Sequence, residues 1–112
     1  MKSFILALLL SGASLNSIPV NIIPPVITGT PVVGNTLSRT QGIWSGNPTP
    51  SLTGTWCTNL SPIPICSFTV SSNPTYVIEA AFVDYYIFYR ETGTNSVGSA
   101  IANSNILGPI TF

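Results

Sequence analysis

The sequence predicts an all-β domain built as an antiparallel sandwich, and three observations carry that expectation. Ten prolines and nine glycines punctuate the chain. Between them lie short runs of Val, Ile, Thr, Tyr and Phe, the pattern of strands bounded by turns. After Leu10 no stretch keeps a helical apolar period long enough to make a helix. The length of 112 residues fits one domain, and a sandwich of this size buries a real core.

The elements follow in order. Residues 1–23 read as an N-terminal arm, 24–105 as the sandwich and 106–112 as a C-terminal tail. Within the arm, Lys2 precedes the apolar run Phe4-Ile5-Leu6-Ala7-Leu8-Leu9-Leu10, then the small residues Ser11-Gly12-Ala13-Ser14. That is the pattern of a short secretory signal, with Ser11 and Ala13 placed for cleavage. It is too short to span a bilayer, which takes about 20 apolar residues. The expectation is a retained arm that buries Phe4, Ile5, Leu8 and Leu9 against a partner subunit; cleavage is the alternative.

After Pro24-Pro25 a first edge strand is expected over 26–30. A second, entered through Gly34-Asn35, runs over 36–41. Pro48-Thr49-Pro50 makes a stiff turn into 52–58. Short strands follow at 67–71 and 75–78. The segment 85–92 is the longest and most aromatic, and the turn 95–98 leads into 99–103. About seven short strands result, as in an antiparallel sandwich. The tail is apolar, contains Gly108-Pro109 and reads as a second docking arm.

Charge is scarce. Lys2, Arg39, Glu79, Asp84, Arg90 and Glu91 are the only charged residues, 5% of the chain, and the formal net charge is zero. An ordinary soluble domain carries roughly 25%. Low net charge favours association, which points to a chain meant for an assembly; a neutral secreted surface is the alternative. Three scattered basic residues cannot neutralise a run of phosphates, so nucleic acid is not an expected partner. With no histidine, the familiar nucleophile triads are absent. Glu79, Asp84 and Glu91 lie in no pattern that suggests a glycosidase pair, and no phosphate loop is present. The chain is therefore expected to be no enzyme and to hold no metal or cofactor. Cys57 and Cys66 are too few for a metal site without histidine. They read as a disulfide, with free thiols as the alternative.

More specific signals come from four segments: Pro31-Val32-Val33-Gly34-Asn35-Thr36-Leu37; Gly42-Ile43-Trp44-Ser45-Gly46-Asn47-Pro48-Thr49-Pro50; Trp56; and Thr94-Asn95-Ser96-Val97-Gly98-Ser99-Ala100. Together they resemble a family of bacterial and phage immunoglobulin-like domains over roughly residues 25–105. The resemblance implies an immunoglobulin-like sandwich on phage virions or bacterial surfaces, adhesive or structural, with no catalytic residues to carry over. Some members carry a Cys pair after the third-strand Trp, and Cys57 and Cys66 look like it. Where the family has an Ala-Asp-Val-Gly corner, this chain reads Ala81-Phe82-Val83-Asp84.

Side-chain alternation then assigns roles. Trp56 is the expected core Trp of the third strand, and Trp44 is expected to cover one end. Leu37, Ile87 and Tyr89 point inward, and the same parity turns Arg39 and Glu91 inward. A lone buried charge is costly, so Arg39 and Glu91 are expected to pair across the core; snorkelling to solvent is the alternative. Tyr86 and Phe88 fall on the outer face and read as an interface patch, or as a ladder on a covered face. Exposed aromatics also leave a host-surface glycan open as a ligand.

Two functions fit. The first is a virion component: a capsid decoration (cement) protein or a tail or fibre subunit, bound to other virion proteins and to copies of itself. The second is a secreted adhesive module of the bacterial surface.

Overall fold

A computed structural model of the chain describes residues 15–112, so Phe4, Ile5, Leu8 and Leu9 lie outside the described residues. The described chain is all-β and antiparallel. Its nine strands are β1 (Ser17–Ile23), β2 (Ile27–Thr28), β3 (Thr36–Arg39), β4 (Ile43–Asn47), β5 (Ser51–Asn59), β6 (Phe68–Ser71), β7 (Thr75–Val77), β8 (Tyr86–Thr94) and β9 (Ser99–Asn103), with one 3-10 turn at Ala80–Phe82. They form a three-stranded sheet β2-β3-β7, a four-stranded sheet β6-β5-β8-β9 and a two-stranded ribbon β1-β4.

The two larger sheets meet in a sandwich-like core. Ile27, Leu37, Tyr76 and Ile78 come from the three-stranded side, and Trp56, Ile87 and Tyr89 from the four-stranded side. The backbone of this core is the β5–β8 ladder, which pairs without a break from Ser51↔Thr94 to Asn59↔Tyr86. Period-2 alternation decides what each position meets. Trp56, opposite Tyr89, faces in, while Cys57, opposite Phe88, faces out. Trp56 is fully buried; its indole N–H donates to Asn73 O at 2.8 Å, so its one polar atom is satisfied. Its ring lies 6.1 Å from that of Tyr76 and 5.5 Å from that of Tyr89.

Two glycines in the ladder exist for close approach. A Cβ at Gly54 would collide with the Tyr89 ring, and one at Gly93 would lie 2.9 Å from the Trp44 indole. Each glycine makes room for an aromatic side chain.

Several expectations need correction. The strands β1 and β4 have no counterpart among those the sequence predicts. Pro19 interrupts the first, yet Pro is tolerated in a strand with one free edge, and β1 pairs on one side only, with β4. From Ser17 on, the segment expected as an arm is therefore a strand. The C-terminal tail closes the core instead of forming a second docking arm: Ile110 is fully buried, Leu107 bridges to Ile87, and Thr111 bridges to Val32. The corner Ala81-Phe82-Val83-Asp84 keeps a left-handed residue without glycine, because Asp84 takes φ 74°, a region Asp enters more readily than most residues.

Candidate functional site

Among the described residues no pocket opens, so the candidate sites are surfaces and the buried polar groups that shape them. Glu91 is the most informative of these groups. It sits inward on β8, 1% exposed. Its Oε1 accepts from the Gly42 backbone N–H at 2.9 Å and from the Trp44 indole N–H at 2.7 Å. Both donors lie at or next to the start of β4, so the carboxylate ties the β1–β4 ribbon to the body of the sandwich.

Arg39 turns inward as alternation requires, but it is not the partner that holds Glu91. Its guanidinium lies over the Tyr89 ring, 5.0 Å from the centroid, and its Nε is buried without a hydrogen-bond partner. The expected Arg39–Glu91 pair is thus replaced by a cation–π contact on one side and two N–H donors on the other. Burial raises the Tyr89 phenol above the ordinary tyrosine range, with the Arg39 charge opposing that shift. Burial also raises Tyr76, helped by the hydrogen bond and charge of Glu79; Tyr76 donates to Glu79 Oε1 at 2.8 Å.

The ribbon presents the first surface. Alternation along Ser-Ile-Pro-Val-Asn-Ile-Ile buries Pro19 and exposes Ile18, Val20 and Ile22 at 56%, 49% and 59%. Ile43 of β4 and Leu15 are exposed as well. This strip is anchored by amides: Asn47 Nδ2 donates to Leu15 O, Asn95 Nδ2 to Ser17 O, and Asn21 Nδ2 to Ile43 O. No charged residue stands in β1 or β4. Ile18, Val20, Ile22 and Ile43 thus expose apolar side chains on a ribbon whose two strands hold no charge.

The second surface lies around the far end of the β5–β8 ladder. The Cys57–Cys66 disulfide is formed, with Cα atoms 5.0 Å apart. It closes residues 60–65 into a loop after β5, which meets the outer face of the four-stranded sheet at Pro64. Phe88, expected as an exposed interface residue, is 1% exposed. It pairs with Cys57 across the ladder, and the Arg90 guanidinium lies 5.7 Å from its ring centroid. Arg90 in turn donates to Pro64 O at 2.9 Å and to Asn103 Oδ1 at 3.0 Å. The outer aromatic ladder is therefore a covered face, and Tyr86 is half-buried. The exposed groups are those of the cover and its margin: Leu60, Ile63, Ile65 and Phe68. Phe68 meets Phe82 and Tyr85 at ring distances of 6.4 and 6.1 Å.

Breaking the bridge should cost stability. Closing so short a loop is worth about 2–3 kcal/mol by the chain-entropy model. Adding reductant, or replacing both Cys57 and Cys66 with Ala, is expected to lower the melting temperature by on the order of 10 °C. An unchanged melt would mean the loop holds its place without the bridge.

One polar device escaped the sequence reading. Asn105 Oδ1 accepts from Ile27 N at 2.8 Å, and its Nδ2 donates to Ile27 O at 3.0 Å. A single amide thus stands in for a neighbouring strand beside β2. The position of Asn105 just after β9 is its only signal in the sequence.

No helix among the described residues is long and apolar enough to cross a membrane. Comparisons with protein-family models, with curated proteins and with solved structures give no match.

Proposed function

We propose that the chain is a non-enzymatic structural component of a phage virion, either a capsid decoration (cement) protein or a tail or fibre subunit, built on an immunoglobulin-like domain. The strip of Ile18, Val20 and Ile22 on β1 carries this reading. Neither β1 nor β4 carries a charge to keep a neighbour away. Burying such a strip against another virion protein, or against a copy of this chain, removes apolar area from water.

The topology supports an immunoglobulin-like domain. A β2-β3-β7 sheet facing a β6-β5-β8-β9 sheet, with Trp56 inward on β5, is akin to the two-sheet layout of such sandwiches, to which the β1-β4 ribbon is added. The near-absence of charge and the sequence resemblance point to the virion. The Cys57–Cys66 bridge favours a second reading, a secreted adhesive module of the bacterial surface, because disulfides persist in oxidising compartments.

A Val20→Asp/Ile22→Asp double variant tests the reading. Both side chains are exposed, so folding should survive, with a melting temperature within a few degrees of the parent. Association with particles, followed on a density gradient, should weaken at least roughly tenfold, since two charges would have to be buried. Full retention in the heavy fractions would remove β1 as the attachment surface. A light species trimmed near Ala13 would favour the secreted module.

A further inference from the structure

The sheet edges of this fold are not alike. On β2 the Asn105 amide occupies the Ile27 N–H and C=O. β1 runs beside β9, where Ser17 O accepts from Asn95 and Ile18 approaches Gly98. β6 meets β5 with a register shift between Trp56 and Cys57, and such irregularities blunt an edge. β7 differs from all three. It pairs with β3 in an unbroken register and with no strand on its other side. In an antiparallel ladder, alternate residues turn their N–H and C=O toward the partner strand. Arg39 N donates to Pro74 O and Ile78 N to Asn35 O, so Pro74, Tyr76 and Ile78 face β3. Thr75 and Val77 therefore turn their backbone groups away from it. Among the described residues nothing meets those two N–H and two C=O groups.

We infer that β7 pairs edge to edge with β7 of a second copy of this chain, antiparallel about a twofold axis at Tyr76. That register sets Thr75 opposite Val77 of the second copy. Each such pair exchanges two backbone hydrogen bonds, and the twofold repeats the pair. Four bonds form, and all the open groups on both edges are used. Side chains agree with the register. Thr75 and Val77 are exposed on the outer face while Tyr76 is buried in the core, so two β-branched side chains meet across the pair, a combination that suits a sheet. Charge agrees as well. Residues 40–78 hold no charged residue. Glu79 lies three positions past the axis and falls opposite Asn73, not opposite another Glu79. A chain of zero formal net charge has little long-range repulsion between copies. Three residues make a small contact, so the dimer is reversible and not obligate. The pairing uses none of β1 and stands apart from the attachment surface proposed above.

The test follows the full-length oxidised protein by sedimentation velocity over a concentration series. The parent should form a reversible dimer. Hydrogen exchange should find the Thr75 and Val77 amides protected in the dimer and open on dilution. A Thr75→Lys/Val77→Lys variant sets like charges opposite each other in both pairs and should weaken the dimer roughly tenfold. Both side chains are exposed, so it should melt with the parent. A Thr75→Lys/Val77→Glu variant sets opposite charges across the same register and should restore the dimer, most clearly at low salt. The Val20→Asp/Ile22→Asp variant should dimerise like the parent, so this pairing and the β1 surface fail separately. The inference is overturned if the parent stays monomeric at every concentration, or if the double Lys variant dimerises like the parent. It is also overturned if the Lys/Glu variant stays as weak as the double Lys variant. Loss of the dimer in the β1 variant would place the contact on the apolar strip. Protection of another strand with Thr75 and Val77 left open would place it there. Either result would equally overturn the pairing through β7.

Discussion

Glu91→Ala is expected to destabilise the fold by about 3–5 kcal/mol, the range for removing one partner of a buried charged hydrogen-bond group. The carboxylate is 1% exposed and satisfies two donors, the Gly42 N–H and the Trp44 indole. Alanine would leave the buried Gly42 N–H and the half-buried Trp44 indole N–H without this acceptor and open a cavity between β4 and β8. Glu91→Gln keeps an acceptor oxygen at the same place and should cost only about 1–1.5 kcal/mol, the net worth of a hydrogen bond. Thermal melts of the two variants separate the explanations. If alanine and glutamine cost the same, the charge itself is what matters. If alanine costs nothing, the ribbon is not held through Glu91. Arg39→Met offers a further contrast: it removes a buried Nε that lacks a partner and keeps most of the apolar stem over Tyr89, so it should be far milder than Glu91→Ala.

Trp56→Ala carries the other large effect, about 3–5 kcal/mol, the cost of emptying a large aromatic site in a core. Trp56 is fully buried between Tyr76 and Tyr89, and the continuous β5–β8 ladder gives the site little freedom to collapse. For a domain of this length the loss corresponds to a fall in melting temperature of at least about 12 °C. Trp56→Phe retains most of the ring but leaves Asn73 O without its indole donor. It is expected to cost about 1–2 kcal/mol, from one lost hydrogen bond and a modest loss of volume. Urea melts with a shared m-value would verify both. A Phe variant as damaged as the Ala variant would mean that the hydrogen bond, not the packing, fixes the ring.

Much of the sandwich was legible because its signals are local. Ser51–Asn59 sets Leu52, Gly54 and Trp56 on one face and lies between Pro50 and Asn59, while Tyr86–Thr94 opens with four apolar or aromatic residues in a row and runs into Asn95; the period of two in a strand then places Trp56, Leu37, Ile87 and Tyr89 on the inner face. The same parity turns Arg39 and Glu91 inward. It could not supply their partners, because those depend on long-range neighbours: Gly42 and Trp44 reach Glu91 from the far side of a turn, and Tyr89 lies under Arg39. Phe88 was misplaced for a related reason. Alternation says which face a residue takes, but not that the 57–66 loop meets that face at Pro64. β1 stayed hidden because Pro19 disguises it, and because a strand at an edge needs its partner β4 to be recognised. Ile110 was read as tail, since nothing in Gly108-Pro109-Ile110 reveals that the chain returns to the core.

The position of β1 also sets how the molecule would bear load. Leu15 O accepts from Asn47 and Ser17 O from Asn95 at one end of the molecule, while the disulfide loop leaves the other end of a ladder of nine paired positions, about 27 Å long. Tension between these two ends runs nearly along the strands. The bonds between β1 and β4, with the amides of Asn21, Asn47 and Asn95, would then be strained together instead of one after another. Such a shear geometry resists rupture far better than peeling does. A pull on Leu15 against the disulfide loop would therefore meet a stiff link, and the load passed from ribbon to body would fall on the Glu91 tie to Gly42 and Trp44.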